Sequence, residues 1–129
     1  LTWGSQEKDQ AAKEFRPSDK QAILYVDREC PLDPETQIFV LIDGFEEGGT
    51  IPESFFKCEF EPGQHKIICR TEADTETIIQ VEAGKLYFLR QESTWGFHLA
   101  RCKLRQVDEQ TRMKGVRKCR LLLPPTRPE

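Results

Sequence analysis

Two β-prone runs, Phe55 to Phe60 and His65 to Arg70, are joined by Glu61-Pro62-Gly63-Gln64, and this stretch constrains the fold more than any other. Pro62 presets φ at about −65° for the second position of a type II turn, and Gly63 supplies the positive φ that the third position needs. The pattern predicts a hairpin with Phe60 opposite His65, Cys58 opposite Ile67 and Phe56 opposite Cys69. In that register Phe56, Cys58, Phe60, Ile67 and Cys69 share the buried face, because Lys57, Glu59, Lys66 and Ile68 occupy the other. Cys58 and Cys69 become diagonal neighbours with Cβ atoms about 7 Å apart, too far for an unstrained disulfide, so both are expected to be buried thiols.

The rest of the chain repeats this strand-and-turn rhythm. Ala22 to Arg28 is β-branched and aromatic, with Ile23, Tyr25 and Asp27 on one face and Leu24 and Val26 on the other. Gln37 to Asp43 is nearly all apolar, as in a strand covered on both faces. Asp43-Gly44 is a turn signal, and with Gly48-Gly49 it brackets a connector through Phe45-Glu46-Glu47. Thr77 to Val81 and Lys85 to Gln91 are further strands around the Ala83-Gly84 turn. Ser93 to Gly96 reads as a loop bearing Trp95, before extended structure resumes from Phe97 to Val107. Asp108 fits an N-cap for a short helix, Glu109 to Arg117, because Met113, Val116 and Cys119 recur every three residues. Leu121 to Leu123 is a closing strand.

The expected fold is therefore mainly β: a small antiparallel β-sandwich of about seven strands, of immunoglobulin or prealbumin type, with one short C-terminal helix. The crossover helices of a parallel α/β fold are absent from the pattern. Residues 21–123 make up that domain, residues 1–20 an N-terminal tether or extension, and the proline-rich 124–129 a disordered tail.

Composition bounds the function. At 129 residues with a net charge of −3, the chain lacks the basic face that neutralising nucleic-acid phosphates requires. The cluster Arg112, Lys114, Arg117, Lys118 and Arg120 has Asp108 and Glu109 beside it and reads as a solvated helix face. No apolar run reaches the roughly 18 residues of a membrane span. Five cysteines, Cys30, Cys58, Cys69, Cys102 and Cys119, contain no CxxC pair and hence no zinc-ribbon or thioredoxin spacing.

Catalytic patterns are missing. There is no GxSxG elbow, His65 reads as an exposed turn residue, and residues four apart on a strand, such as His98 and Cys102, are about 13 Å apart. No catalytic, metal or cofactor-binding residues are therefore assigned. Trp3 and Trp95, each flanked by threonine and glycine, either cap the core or, with Phe97, mark a contact surface.

Ala12-Lys13-Glu14-Phe15-Arg16-Pro17, Ala22 to Arg28, Ile42-Asp43-Gly44, Glu61-Pro62-Gly63-Gln64-His65 and Glu82 to Phe88 are followed by Gly96 to Arg101, Leu104 to Glu109 and Val116 to Leu121. In this order and spacing they resemble a family of short bacterial envelope lipoproteins, the domain of unknown function 2846 family. The Asp-Gly and Pro-Gly-x-His elements also look like PEGA-type β-sandwich modules. The resemblance departs at Thr111-Arg112, where family members commonly carry a glycine. It implies a bacterial periplasmic location, membrane-anchored as a lipoprotein, with the signal and lipobox cysteine upstream of Leu1. A periplasmic home would permit disulfides, with Cys102 and Cys119 the pair to test first. The implied role is non-enzymatic, a protein-interaction or structural accessory whose partners are envelope proteins. The alternative is a carbohydrate- or peptidoglycan-binding module using the loop tryptophans. Neither reading involves nucleic acid, and the membrane enters only through the lipid anchor.

Overall fold

The computed structural model describes residues 2–28, 37–70, 74–96, 99–106 and 109–123. Helix α1 (Gln6–Ala12) precedes strands β1 (Ala22–Arg28), β2 (Ile38–Ile42), β3 (Phe45–Thr50), β4 (Ser54–Phe60), β5 (Gly63–Arg70), β6 (Thr75–Val81), β7 (Leu86–Gly96) and β8 (Leu99–Gln106). Helix α2 (Glu109–Arg117) and strand β9 (Arg120–Leu121) follow. One sheet has the order β8-β7-β1-β4-β9 and the other β3-β2-β5-β6. The chain is mainly β and sandwich-like, as its strand pattern predicts.

Every residue of β1 is buried because both faces of its sheet are covered. Leu24 and Val26 face the second sheet, in a core with Val40, Ile42, Phe56 and Ile67. Ile23 and Tyr25 face the other way, into a second core that Phe15, Phe88, Val116 and Cys119 complete. The Tyr25 and Phe88 rings stack with centroids 5.2 Å apart, and Phe15 tilts against Tyr25 at 5.1 Å. Apolar residues on both faces of one strand are what two-sided cover requires.

Four expectations change. First, β4 and β5 do not pair: β4 lies against β1, and β5 lies between β2 and β6. The Pro62-Gly63 turn therefore carries the chain from one sheet to the other, with Gly63 at φ 128°. The expected buried face nevertheless survives. Phe56 and Ile67 are fully buried between the sheets, with Cys58 and Phe60 packed against them. Strands facing each other across a sandwich obey the same two-residue alternation as strands paired in a hairpin.

Second, Phe45–Thr50 is strand rather than connector. Asp43 (φ 51°) and Gly44 (φ 89°) form a two-residue turn with both residues left-handed, the geometry that returns one strand tightly onto the next. Gly48 is in β3 because a Cβ there would lie 2.8 Å from the Phe56 ring. Third, Ser93–Gly96 continues β7, and Trp95 pairs with Ala100 near the hairpin end. With β3 included, the described residues hold nine strands against the expected seven or so, in a five- and a four-stranded sheet. Fourth, the five-stranded sheet is mixed: β1 runs parallel to β7, and β4 parallel to β9. The four-stranded sheet is antiparallel throughout. The 124–129 tail lies outside the described residues.

Candidate functional site

The two motifs that flank the sheet-to-sheet turn come together in space. Asp43 Oδ1 accepts the Lys66 N–H at 3.0 Å, Asp43 Oδ2 bonds His65 Nδ1, and the Asp43 N–H donates to the Lys66 carbonyl at 2.9 Å. His65 Nε2 lies 2.6 Å from the Glu61 carbonyl, and the His65 ring meets Phe60 edge-on at 4.7 Å. The carboxylate and the carbonyl are both acceptors, so using both ring nitrogens at once requires imidazolium. Burial opposes that charge, but the bonds to Asp43 and Glu61 and the Asp43 charge outweigh it and raise the His65 pKa. The Lys66 N–H and then His65 hold Asp43 below its ordinary value of 3.8. His65 is thus a half-buried staple between two turns, not an exposed turn residue.

A second polar chain stitches the sheets internally. Fully buried Arg28 donates to the Thr50 carbonyl at 3.1 Å, and the Thr50 hydroxyl donates to Gln91 Oε1. Gln91 Nε2 in turn donates to Cys69 Sγ at 3.0 Å. Cys69 is disulfide-bonded rather than the expected thiol, while Cys58 keeps its thiol, so the two are not joined. Burial, with Glu47 and Glu59 nearby, pushes the Cys58 pKa up. Cys119 is buried, with its Sγ 3.9 Å from the Arg28 carbonyl, while the side chain of Cys102, the other half of the pair to test first, lies outside the described residues.

Two of the three aromatic candidates are placed in the fold, on different parts of it. Trp3 bridges to Leu122, beyond the β9 edge, whereas Trp95 is on β7, with β1 and β4 between. Trp3 is half-buried, and the Arg120 guanidinium lies 4.6 Å from its ring centroid. Phe97 lies outside the described residues.

Sequence patterning alone missed a pocket of about 450 Å³ between α1, the end of α2 and β9. The stretch expected to be a tether builds one wall. Ala12 and Phe15 are buried, Ser5 caps α1 by accepting the Lys8 N–H, and the Tyr25 hydroxyl donates to the Ala12 carbonyl at 2.8 Å. The Gly4 N–H donates to the Leu121 carbonyl at 2.9 Å, an approach that needs glycine because a Cβ would sit 2.6 Å from Leu121 Cδ2. Asp9 fastens the wall, one oxygen accepting the Leu121 N–H at 2.8 Å and the other pairing with Lys13 Nζ at 2.8 Å. Arg117 lies 5.2 Å from the Phe15 ring centroid. The signal available in the sequence was Trp3 and Phe15 upstream and the basic run downstream, with nothing to say that they meet.

These features define a class: a two-sheet β domain whose histidine staple and buried polar chain hold the sheets together. The chain belongs to the DUF2846 family, proteins of unknown function, whose family model matches residues 18–101. An uncharacterized protein of Haemophilus influenzae (strain ATCC 51907 / DSM 11121 / KW20 / Rd) is 31% identical over 116 residues, covering 88% of this chain and 69% of that relative.

Proposed function

We propose that this domain is a non-enzymatic interaction module of the bacterial cell envelope, tethered in the periplasm by a lipid anchor upstream of Leu1. The observation that carries the interaction role is the β7–β8 ribbon. Pairing of β7 with β1 stops at Arg90, yet β7 and β8 stay paired from Gln91–Leu104 to Gly96–Leu99. Trp95 is thereby set next to the tip of a two-stranded ribbon. The non-enzymatic reading is supported by the chemistry in place: both His65 nitrogens are committed to acceptors of the chain, and the Cys58 thiol is pushed away from thiolate. The envelope reading rests on the lipoprotein character of the family that the sequence resembles.

The peptidoglycan alternative needs both tryptophans as stacking platforms. Their separation across the five-stranded sheet and the stacking of Arg120 on Trp3 favour a protein partner instead.

The test places a photo-crosslinking amino acid at position 95, with exposed Gln80 on β6 as the control, in the full-length protein in its native envelope. A discrete protein adduct from position 95 but not from position 80 is the expected result. Retention on isolated peptidoglycan without any protein adduct would overturn the interaction reading. Failure of the full-length protein to incorporate a fatty-acid analogue would overturn the anchor.

A further inference from the structure

The pocket between α1, α2 and β9 reverses the charge of the chain around it. Lys13, Arg117, Lys118 and Arg120 line it beside two carboxylates, Asp9 and Glu53, in a protein of net charge −3. Both Asp9 oxygens are already used, by Lys13 and by the Leu121 N–H. Among the described residues neither Arg117 nor Arg120 makes an ion pair; each is instead laid against an aromatic ring. A guanidinium held over a ring loses side-chain freedom before any ligand arrives, while its planar fork of N–H donors does not need the ring face to bond.

We infer that this pocket binds a phosphate-bearing ligand, with Arg117 and Arg120 as its principal donors. A phosphomonoester carries nearly two negative charges at neutral pH, which the two guanidiniums, Arg117 and Arg120, can meet. Its oxygens accept paired N–H groups from guanidinium in the bidentate manner that a single ammonium cannot reproduce. The walls come from opposite ends of the chain and are brought together by the Gly4–Leu121 contact, so the arginines face a built concavity rather than an open helix face. The phosphate can belong to a lipid headgroup or to a soluble molecule, and the pocket does not depend on the lipid anchor proposed above.

The experiment follows the arginine Nε–H and backbone NMR signals of the intact chain. Inorganic phosphate and glycerol phosphate are titrated against chloride at matched ionic strength. Co-sedimentation with phosphatidylcholine vesicles, with and without phosphatidic acid, forms the second arm. Saturable shifts centred on Arg117 and Arg120 with the soluble phosphates support a soluble ligand. Sedimentation with the phosphatidic acid vesicles alone supports a headgroup. In either case Arg117→Gln/Arg120→Gln should abolish the response, and Arg117→Lys/Arg120→Lys, which keeps charge and fold, should weaken it about tenfold. A response equal to that of chloride, or one undiminished in the lysine variant, would overturn the assignment.

Discussion

At the Asp43–His65 corner each ionised group is met by a partner from the same chain, whereas at the α1–α2–β9 pocket two guanidiniums lie over aromatic rings and make no ion pair among the described residues. The corner has consumed its hydrogen-bonding capacity in joining two turns, so what it offers is stability. The pocket keeps two arginines out of ion pairs among the described residues, so what it offers is recognition. Opposite kinds of loss should follow when each is damaged.

The largest effect should come from the core that both regions rest on. Phe56→Ala empties a fully buried ring site between the sheets and should cost about 3–5 kcal/mol, read as a lower midpoint in urea with an unchanged slope. Gly4→Val should come next. Its side chain would meet Leu121 and force the N-terminal wall off β9, costing about 1–3 kcal/mol and deforming the pocket while leaving the corner's NMR shifts in place.

Asp43→Ala should cost about 1 kcal/mol by removing acceptors from the Lys66 N–H and His65, with the pocket arginine signals unmoved. Its cost should depend on pH. The raised pKa of His65 makes its contribution complete below the ordinary value of 6.5 and lost as pH climbs through the folded value. The lowered pKa of Asp43 makes its contribution complete above 3.8 and lost as pH falls through its folded value. The gap between wild type and Asp43→Ala should therefore be widest between those two pH values. Finally, Arg117→Gln/Arg120→Gln should change stability by less than about 0.5 kcal/mol, since both side chains are exposed. If the corner variant altered phosphate response, or the pocket variant unfolded the domain, the division between the two regions would fail.

How much of this was legible in the sequence follows from the range of each interaction. β1 and α2 have the bounds their apolar periodicity predicts, because two- and three-residue recurrences are local properties. The buried face of Phe56, Cys58, Phe60, Ile67 and Cys69 was also legible, although its two strands belong to different sheets. Periodicity reports which side faces inward; it does not report whether the neighbour across the turn is a hydrogen-bonded partner or an opposing layer. Gly48-Gly49 looked like a break because the reason for Gly48, the Phe56 ring above it, is a tertiary contact. Ser93 to Gly96 looked like a loop because a ribbon paired on one side carries little apolar alternation. The pocket was the least legible. Its basic residues read as a solvated helix face until Trp3 and Phe15 arrive from the far end of the chain.

That meeting of the two ends also sets an order of events. The Trp3–Leu122 bridge, the Gly4–Leu121 bond and the Leu123–Thr2 bond all join the first residues to the last described ones. Contacts of such long sequence separation close late, since the entropy of a long loop is lost before they repay it. During synthesis, the residues around Trp3 and Gly4 have no edge to settle on until Arg120 to Leu123 follow. A chain cut short before Arg120 should retain much of its sheet pairing while leaving the segment around Trp3 and Gly4 loose, so the β9 edge is what commits that segment to the domain.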